Sequence, residues 1–586
     1  SAALEDLLAV AEADCFALDA INVATVLRGL ARHCDSPVHA CDGQQGQWRV
    51  AAALERLCIQ VVAGAVGYGP RTLASCAHSL ARLGCRVPEV WIALGRNSLQ
   101  RAEQLGTQDI ANIAWAFATM RFRARPLFDR LATAALAKLS LPRQPFKAQE
   151  LSNIAWSMAS MGCLDASLAS GLAEAVLRLP STKLNPQNIS NLLWAFSKAG
   201  HRSQEELFQH LGALAAARSG ELSPQNLSNS AWAFANAGLP CEALFAAAAC
   251  ELSCRPEAFS PQELSVAAWA LARAEHYDPA AMRAVSRAAK PLAQQLSPQG
   301  IAMLMWAFAS LRHDEPLLFQ CLLREATLPR VGRQLTGRHI AMILWAHATL
   351  SYSASAVEQL GSHLLLRRTS ELGPWELSSS LWALAVLGVL RPSDLRSLAP
   401  VLSNRCFAVE GLLQLLVAEE AVALRAGEAG LPLLPPCVGG PAREQRVLSL
   451  ALTAAQPPSP LQESVLACLE TARAVFRRND SSLGGASVAA QISVVLPNGL
   501  PVAIEPEGPS RFTRTEPFRP LGSTLLRRRL LRLSGWQVVP VPFHEWERLR
   551  GHSAKAAFLR SLFTEAAAAA SGTAHEEEEQ EEGSNV

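Results

Sequence analysis

A tryptophan recurs through the middle of this chain at intervals of 37 to 41 residues, and this period constrains the fold more than any other feature. Eight of the thirteen tryptophans belong to the series, so chance does not explain it. The series is Trp115, Trp156, Trp194, Trp232, Trp269, Trp306, Trp345 and Trp382. An earlier copy has His78 in the tryptophan position. Because a period of this length is typical of stacked two-element units, the sequence predicts a repeat array rather than one globular core.

Helix start and stop signals surround each tryptophan. In several copies a proline stands eight residues before it, directly after a serine or asparagine, as in Ser223-Pro224. A glycine such as Gly238 often follows six residues after it. Serine and asparagine cap helix N-termini, proline suits the first turn, and glycine ends helices. Each repeat therefore begins with a helix of about fourteen residues. A second helix follows, for example Glu205–Ala217, so the predicted fold is mainly α, an α-solenoid of two-helix repeats.

The first helix of each repeat has a polar face opposite its apolar face. At about 100° per residue, positions −7, −3 and +4 relative to tryptophan fall on the same side as the indole. Position −7 is mostly glutamine, position −3 is asparagine in four copies, and position +4 is a polar or basic residue. The candidate groove residues are Gln108, Asn112, Trp115, Gln149, Asn153, Trp156, Gln187, Asn191, Trp194, Lys198, Gln225, Asn229, Trp232, Asn236 and Arg273.

Such a face suits single-stranded nucleic acid, because indoles stack on bases and amides bind exposed base edges. A second interpretation stays open, in which the tryptophans are wedges between repeats and the amides cap neighbouring turns. From Trp269 onward position −3 is apolar (Val266, Met303, Met342), so we expect the groove to be less polar there.

The C-terminal part has a different composition. The stretch QISVVLPNGLPVAIEPEG alternates in strand fashion around a Pro-Asn-Gly turn, a helix is predicted over 521–533, a strand over 536–541 and a final helix over 543–563. Residues 491–563 contain eleven lysines and arginines against five glutamates, a net charge of +6. This small α/β unit therefore favours a phosphate-bearing partner, although a solvated basic face is the plainer alternative.

Four segments of this region resemble the RAP domain: AIEPEGPSRF, LGSTLLRRRLL, GWQVVPVPFHEW and KAAFL. The shared motif residues are Gly508, Pro509, Phe512, Leu521, Gly522, Thr524 and Trp546. Two positions depart from the family pattern, Glu507 in place of aspartate and Arg511 in place of histidine. The upstream array resembles the octotricopeptide and related 38-residue helical repeats that accompany RAP domains. The resemblance implies a restriction-endonuclease-like fold for the small domain and a role in organellar RNA metabolism.

Arginines of the RAP-like segment are candidate phosphate contacts. They are Arg511, Arg514, Arg527, Arg528 and Arg529, with Glu507 orienting one of them or closing a buried hydrogen bond. A nuclease alternative would use Glu505 and Glu507 with Mg²⁺, since alternate strand residues share a face. The segment lacks the acidic-x-Lys arrangement of such enzymes, and His33, Cys34 and Cys41 fit no standard metal spacing. We therefore predict no catalytic residues, no metal and no cofactor.

Five regions follow from these patterns. Residues 1–68 form a degenerate helical cap, 69–390 the solenoid of about nine repeats, and 391–487 a helical capping region and linker. Within the third region we expect helices near 392–429, a linker over 431–441 and a helix over 442–476. Residues 488–563 are the RAP domain, and 564–586 are an Ala/Glu-rich disordered tail.

The favoured function is non-catalytic binding of single-stranded or ribosomal RNA in an organelle. The expected place is a mitochondrion, with a plastid as the alternative, and the first residue is Ser rather than Met, which suggests a removed leader. The chain would be a mitochondrial ribosome component, with ribosomal proteins as further partners, or a factor that stabilises ribosomal RNA or transcripts. No membrane is expected, because no uninterrupted apolar run of about 18 residues occurs. The alternatives are the Mg²⁺-dependent nuclease and a protein-binding scaffold.

Overall fold

The computed structural model describes residues 2–13, 18–33, 44–141, 146–353, 355–428, 431–455, 457–472, 474–480 and 489–570. The tail was predicted over 564–586; its residues 564–570 are helical, whereas 571–586 lie outside the described residues, as do Cys34 and Cys41. The chain divides into two compact units, Ser1–His276 and Tyr277–Val586.

The first unit is built of paired helices. They are α1 (Ala2–Ala13), α2 (Ala20–His33), α3 (Gln44–Gly64), α4 (Pro70–Arg82), α5 (Pro88–Gln100), α6 (Thr107–Thr119), α7 (Arg125–Leu139), α8 (Ala148–Ser160), α9 (Ala166–Leu177), α10 (Pro186–Lys198), α11 (Glu205–Ala217), α12 (Pro224–Ala237), α13 (Glu242–Cys254) and α14 (Pro261–Arg273). From α4 onward each even-numbered helix packs against the next even-numbered helix, and odd-numbered helices pack likewise. Two layers of like helices are the arrangement of an α-solenoid, which confirms the predicted fold class.

The local signals read from the sequence set the helix ends. Asn185, Ser223, Ser260 and Ser297 each accept a hydrogen bond from the backbone N–H three residues later, with proline in the first turn. The glycines after the helices adopt positive φ, for example 70° at Gly238. These positions satisfy orphan amides at one end and admit a left-handed residue at the other. The predicted second helix Glu205–Ala217 is also confirmed.

The apolar face of the first helices forms the core. In α12, Leu227, Ala231 and Phe234 are fully or almost fully buried. The small residues on the flanks, Ser228 and Ala233, are buried as well, which lets neighbouring first helices approach closely. The predicted division of the helix into core, flanks and open face is therefore present.

In several repeats an arginine binds a carbonyl in the linker of the repeat before it. In the first unit Arg101 Nε lies 3.1 Å from the carbonyl oxygen of Tyr68, and Arg218 Nη1 lies 2.7 Å from that of Leu184. In the second unit Arg330 Nη1 donates to Gln294 O at 2.9 Å, and Arg368 and Arg405 make equivalent bonds to Leu335 and Ser370. These bonds satisfy carbonyls that helix ends leave without intrahelical partners.

One stretch of the described residues, Arg49–Gly67, is long and apolar enough to cross a membrane by length and composition alone. The stretch contains Arg49, Glu55 and Arg56, so it is not an uninterrupted apolar run of the kind considered in the sequence. In this structure 44% of the stretch is buried, and α3 packs against α1, α2 and α5.

The second unit is also built mainly of helices, and it ends in a sheet. Its helices are α15 (Pro279–Ala289), α16 (Pro298–Ser310), α17 (Pro316–Thr327), α18 (Pro329–Gly332), α19 (Gly337–Leu350), α20 (Ser355–Arg367), α21 (Pro374–Val386), α22 (Pro392–Ser403), α23 (Val409–Arg425), α24 (Pro436–Ala455), α25 (Pro460–Thr471), α26 (Gly522–Leu533), α27 (Phe543–Trp546) and α28 (His552–Ala570). The helices α16, α19, α21 and α23 pack in series, as the first helices of the repeats do in the first unit.

The region before the sheet differs from its predicted form. Helix α24 begins inside the predicted linker, and the single helix expected over 442–476 is replaced by α24, α25 and a strand. The proline-rich run 457–460 explains the break, because proline removes helical hydrogen bonds and opens α25 behind the cap Ser459. The predicted final helix is likewise divided, into α27 and α28.

The sheet has four strands in chain order: β1 (Phe476–Asp480), β2 (Ala490–Val495), β3 (Pro501–Glu507) and β4 (Gln537–Pro542). The pairs β1–β2 and β2–β3 are antiparallel, whereas β3 and β4 are parallel and joined through α26. One face of the sheet packs on α25 and α28 around Ile504, Val539 and Trp546. This mixed sheet confirms the predicted small α/β unit, and its core includes Val465 and Leu469 upstream of residue 488.

Candidate nucleic-acid interface

The polar face predicted on the first helices lies at the surface of the first unit. The glutamines at position −7 are exposed, and the asparagines at −3 and the tryptophans are partly buried. The exposed members at −7 are Gln108, Gln149, Gln187, Gln225 and Gln262; the partly buried members at −3 are Asn112, Asn153, Asn191 and Asn229. Lys198, Asn236 and Arg273 at position +4 are exposed. The structure therefore brings the candidate residues of successive repeats into one stripe.

The amides of this stripe differ from a second set of amides that holds the repeats together. Asn188 Nδ2 donates to Ser152 Oγ at 3.1 Å, and Asn226 Oδ1 accepts from Ser190 Oγ at 3.3 Å. Both asparagines stand six residues before a tryptophan. Within the described residues, the side-chain amides at −7 and −3 of the first unit make no hydrogen bond to the protein, so they are open to a ligand. Asn236 is different, since its Nδ2 donates to Ser197 Oγ at 3.0 Å.

Four tryptophans, Trp156, Trp194, Trp232 and Trp269, form a ladder along the stripe. Ring centroids of Trp156 and Trp194 are 6.3 Å apart, those of Trp194 and Trp232 are 6.4 Å apart, and those of Trp232 and Trp269 are 6.5 Å apart, with planes tilted by 30° to 34°. These separations are typical of favourable aromatic pairs. Each ring therefore packs on its neighbours, as the wedge interpretation expects, and is at the same time partly open at the groove surface.

The polar character of the stripe is lost in the second unit. Met303 and Met342 replace the asparagine at −3 and are only 7% and 9% exposed. Gln299 turns its Nε2 toward the sulfur of Met303, 3.6 Å away. The expected loss of polarity after Trp269 is therefore present in this unit.

A cavity of about 450 Å³ lies at the beginning of the stripe. Its lining joins the amides Gln108, Asn112, Gln149 and Asn153 to the cations Arg28, Arg32, Arg71, Arg82 and Lys147. Two carboxylates, of Asp109 and Glu150, also line it, and each accepts a backbone N–H at the start of its helix.

The arginines of this cavity were not among the predicted residues. Arg71 and Arg82 occupy positions −7 and +4 of the His78 copy, so carrying the repeat numbering back to that copy would have found them. The pKa of His78 is lowered, first by burial and then by Arg82, so the imidazole adds no charge near pH 7.

A second cavity, of about 860 Å³, lies where α6, α8 and α10 end. Arg121, Arg123, Arg125 and Lys198 line it together with Trp156 and Trp194. Arg125 pairs with Asp129, with Nε 2.8 Å from Oδ1. Except for Lys198, these cations were not among the predicted residues, because they lie in and beside the loop after α6, outside the polar face of the first helices.

In the RAP-like segment, the candidate arginines have protein partners. Arg527 binds Glu505 through two bonds, from Nε at 2.7 Å and Nη2 at 3.0 Å, and its Nη2 also donates to Ala489 O at 2.7 Å. Arg511 Nη1 lies 3.6 Å from the same carboxylate. Arg528 Nε lies 2.8 Å from Glu507 Oε1, and its Nη2 contacts Glu507 Oε2. Glu505 and Glu507 are both 0% exposed, so each needs an opposite charge.

The remaining candidate arginines contact the helices of the second unit. Arg514 N donates to Arg312 O at 2.7 Å, and its guanidinium lies 4.7 Å from the ring centre of Tyr277. Arg529 Nη2 donates to Val386 O at 3.2 Å. Their neighbour Arg519 lies 5.4 Å from the ring centre of Tyr352 and 3.6 Å from a carboxylate oxygen of Asp314. Arginines of this segment therefore dock the sheet region on α16, α19 and α21.

The motif residues behind the RAP resemblance also pack or bond inside the protein. Thr524 Oγ1 donates to Arg511 O at 3.0 Å, and Trp546 Nε1 donates to Ser464 Oγ at 3.1 Å. Phe512 is buried against Phe543. At Gly522 a Cβ would lie 1.8 Å from the backbone oxygen of Ala348, so only glycine allows α26 to approach α19 this closely.

Comparisons with known proteins agree with this architecture. A family model of the RAP domain matches residues 504–562, and a model described as RNA-editing substrate-binding complex 6 protein matches residues 99–355. A chloroplastic RAP domain-containing protein of Oryza sativa subsp. japonica is 38% identical over 61 residues, which are 10% of this chain and 9% of that protein.

Two solved structures are similar at low identity. The pentatricopeptide repeat protein PPR10 from maize is 11% identical, with 78% of this chain and 77% of that chain covered and a TM-score of 0.26. A homology model of the full-length AP-3 complex in an intermediate open conformation is 11% identical, with 78% and 90% covered and a TM-score of 0.29. The family matches and the geometry together identify the chain as a helical-repeat protein that carries a C-terminal RAP domain.

Proposed function

We propose that this chain is a non-catalytic RNA-binding protein of an organelle, and that the stripe on its first unit holds single-stranded RNA. The observation that carries the proposal is the cavity beside α4, α6 and α8, where unused amides of two repeats lie among five cations. Amides bind base edges, and cations bind phosphates without regard to sequence. The partly open indoles add stacking surface along the same line.

The names of similar proteins support RNA as the ligand and an organelle as the place. The family that matches residues 99–355 is named for binding RNA-editing substrates, and the rice relative is chloroplastic. Within that frame we propose a mitochondrial protein that either stabilises ribosomal RNA or a transcript, or resides in the mitochondrial ribosome beside ribosomal proteins. A plastid is the alternative location.

We propose the repeats, rather than the RAP domain, as the main RNA contact. Binding of phosphate by Arg527 or Arg528 would have to displace a buried carboxylate, and removing one partner from such a pair is costly. The same pairs argue against the nuclease alternative. Glu505 and Glu507 are already neutralised by guanidinium groups, so a divalent cation would have to replace those arginines before it could be held there.

The test is binding of the full chain to labelled single-stranded RNA, measured by fluorescence anisotropy. We expect Asn191→Ala with Asn229→Ala to lower the affinity by about fivefold for each hydrogen bond removed. The sequence preference of binding should change as well. The matched control is Gln104→Ala, which removes an exposed amide in the linker before α6. Absence of RNA binding by the unmodified chain would overturn the proposal and favour the protein-scaffold alternative. Cleavage of the RNA that EDTA abolishes would favour the nuclease.

A further inference from the structure

Every first helix from α4 to α21 ends in the same backbone conformation, six residues after the tryptophan position. Gly84, Gly162, Gly200, Gly238 and Gly388 occupy this place in five repeats, with φ from 67° to 80°. The other four repeats have Arg121, Glu275, Arg312 and Ser351 there, with φ from 53° to 61°. The left-handed region disfavours residues that carry a Cβ, so glycine suits this position best. These four repeats have another residue in its place.

In the second unit, the two such residues contact a docked domain. Arg312 Nη1 donates to Pro509 O at 2.9 Å, while Arg312 O accepts from Arg514 N at 2.7 Å. Ser351 Oγ donates to Pro520 O at 3.3 Å. Pro509 and Pro520 flank the loop of the RAP domain between β3 and α26. In these two repeats, the residue at the helix-stop position therefore binds the RAP domain at the edge where the first helices end.

Arg121 occupies the equivalent position in the first unit. It lines the cavity of about 860 Å³ with Arg123, Arg125 and Lys198, and none of the described residues that line this cavity is acidic. Arg121, Arg123 and Lys198 are exposed, and none of them forms an ion pair with a carboxylate in the part of the chain that the structure describes. Arg125 is paired with Asp129, which leaves three cations on one edge without a carboxylate partner among the described residues, so the cavity has the electrostatic character of an anion site.

We propose that this cavity binds the phosphodiester backbone of single-stranded RNA along the helix-stop edge, with bases turned toward Trp156 and Trp194. This inference rests on the proposed function and adds where the backbone lies. An acidic peptide would also meet the cations, but it would make no use of the two partly open indoles at the same cavity. Proteins that bind single-stranded nucleic acids combine aromatic rings with a basic groove in this way.

The experiment exploits the left-handed position. Arg121→Gly removes the guanidinium while giving the backbone its preferred residue, so the variant should fold at least as stably as the parent. Binding of labelled oligouridylate is measured for the full chain between roughly 50 and 200 mM salt. We expect Arg121→Gly with Lys198→Ala to bind more weakly. The slope of log K against log salt should become shallower by about 0.7 for each phosphate that the protein no longer neutralises.

The matched control is Glu275→Gly, which makes the same backbone change at the same repeat position in the same unit. Glu275 does not line the cavity, so the salt slope should stay at the parent value. If the parent binds RNA and the Arg121/Lys198 variant keeps its slope, the cavity proposal is wrong while the proposed function stands. Failure of the parent to bind RNA removes both. Polyglutamate that binds the parent as tightly as RNA, with the same loss in the variant, would reassign the cavity to an acidic peptide.

Discussion

Arg528 and Glu507 form a two-bond ion pair in which the carboxylate is completely buried and the arginine side chain is 16% exposed. The pair joins α26 to β3 across the crossover that connects β3 with β4. Beside it, Arg527 and Glu505 repeat the arrangement two residues along the strand. Both pairs lie between α26 and the sheet, where a charge without a partner is strongly unfavourable.

We predict that Glu507→Gln lowers the free energy of unfolding of the RAP region by about 3 kcal/mol, because it leaves the Arg528 guanidinium without its anion. Urea denaturation followed by circular dichroism measures the change. Arg532→Gln is the control, since Arg532 is an exposed arginine of the same helix, and its effect should stay within about 0.5 kcal/mol. A Glu507→Gln variant as stable as the parent would show that the pair is dispensable.

Gly522→Ala should disrupt the docking of α26 on α19, because the added methyl would overlap the backbone oxygen of Ala348. We expect faster proteolysis of the RAP region and a loss of about 1–3 kcal/mol, the usual cost of overpacking. Gly508→Ala tests the same chemistry at another motif glycine, where a Cβ meets no atom within 4 Å and φ is −75°. Equal sensitivity of the two glycines would contradict the steric explanation.

Two asparagines of α10 should separate stability from binding. Asn188→Ala removes a buried bond to Ser152 in the preceding repeat and should cost about 1–2 kcal/mol of unfolding free energy. Asn191→Ala, three residues on, removes an amide that bonds no described residue, and should change stability by less than about 0.5 kcal/mol. Thermal unfolding of the two variants measures the contrast, and a reversed order would mean that the amide of Asn191 holds the array together.

Removal of one indole should weaken the ladder on both sides. Trp194→Ala removes the ring packing on Trp156 and on Trp232, each worth about 0.5–1.5 kcal/mol beyond area burial, so the first unit should unfold at lower urea concentration. The comparison variant is Trp375→Ala, because Trp375 is 43% exposed and has no ring partner among the described residues. A smaller effect at Trp194 than at Trp375 would show that the indoles do not support one another.

The stability of the second unit should depend on pH through His347. Burial lowers the pKa of His347 to about 4, while its Nδ1 lies 3.0 Å from Ile343 O and its ring packs on Phe319. Because the unfolded chain binds the proton near pH 6.5, the contribution of neutral His347 is complete above that pH and is lost as pH falls toward 4.

Relative to a His347→Gln variant, the parent should therefore lose up to about 1.4 kcal/mol for each pH unit in that window. Urea titrations at several pH values check the slope. His363→Gln, at an exposed histidine of α20, is expected to track the parent. A constant difference between the parent and His347→Gln from pH 7 to pH 4.5 would contradict a neutral buried imidazole.

The repeat helices could be predicted from the sequence because local rules set their ends. A cap such as Ser260 followed by Pro261 fixes where a helix begins whatever surrounds it, and a left-handed glycine fixes where it stops. The polar stripe could be predicted from the same periodicity. One face of each first helix is apolar and packs in the core, so the opposite face is the one left at the surface. The apolar residues Met303 and Met342 likewise predicted the loss of polarity in this part of the groove.

The partners of the RAP arginines could not be predicted in this way. Arg527 and Glu505 are 22 residues apart, and their pairing depends on the crossover that places α26 over β3. A net charge of +6 in the sequence therefore indicated a phosphate partner, although several of those charges bind carboxylates or carbonyls of the protein. The cavity at Arg121 was missed for a related reason, since it combines the ends of three helices that only packing brings together.

The linker arginines that reach back to the preceding repeat carry a consequence for comparing proteins of this kind. Arg101, Arg218, Arg330, Arg368 and Arg405 each donate to a main-chain carbonyl of the preceding repeat's linker. These guanidinium N–H donors are thus used to fasten one repeat to the next. Two relatives with the same isoelectric point can therefore offer a polyanion very different surfaces. An estimate of nucleic-acid affinity should therefore distinguish arginines that bind linker carbonyls from arginines whose donors are available to a ligand.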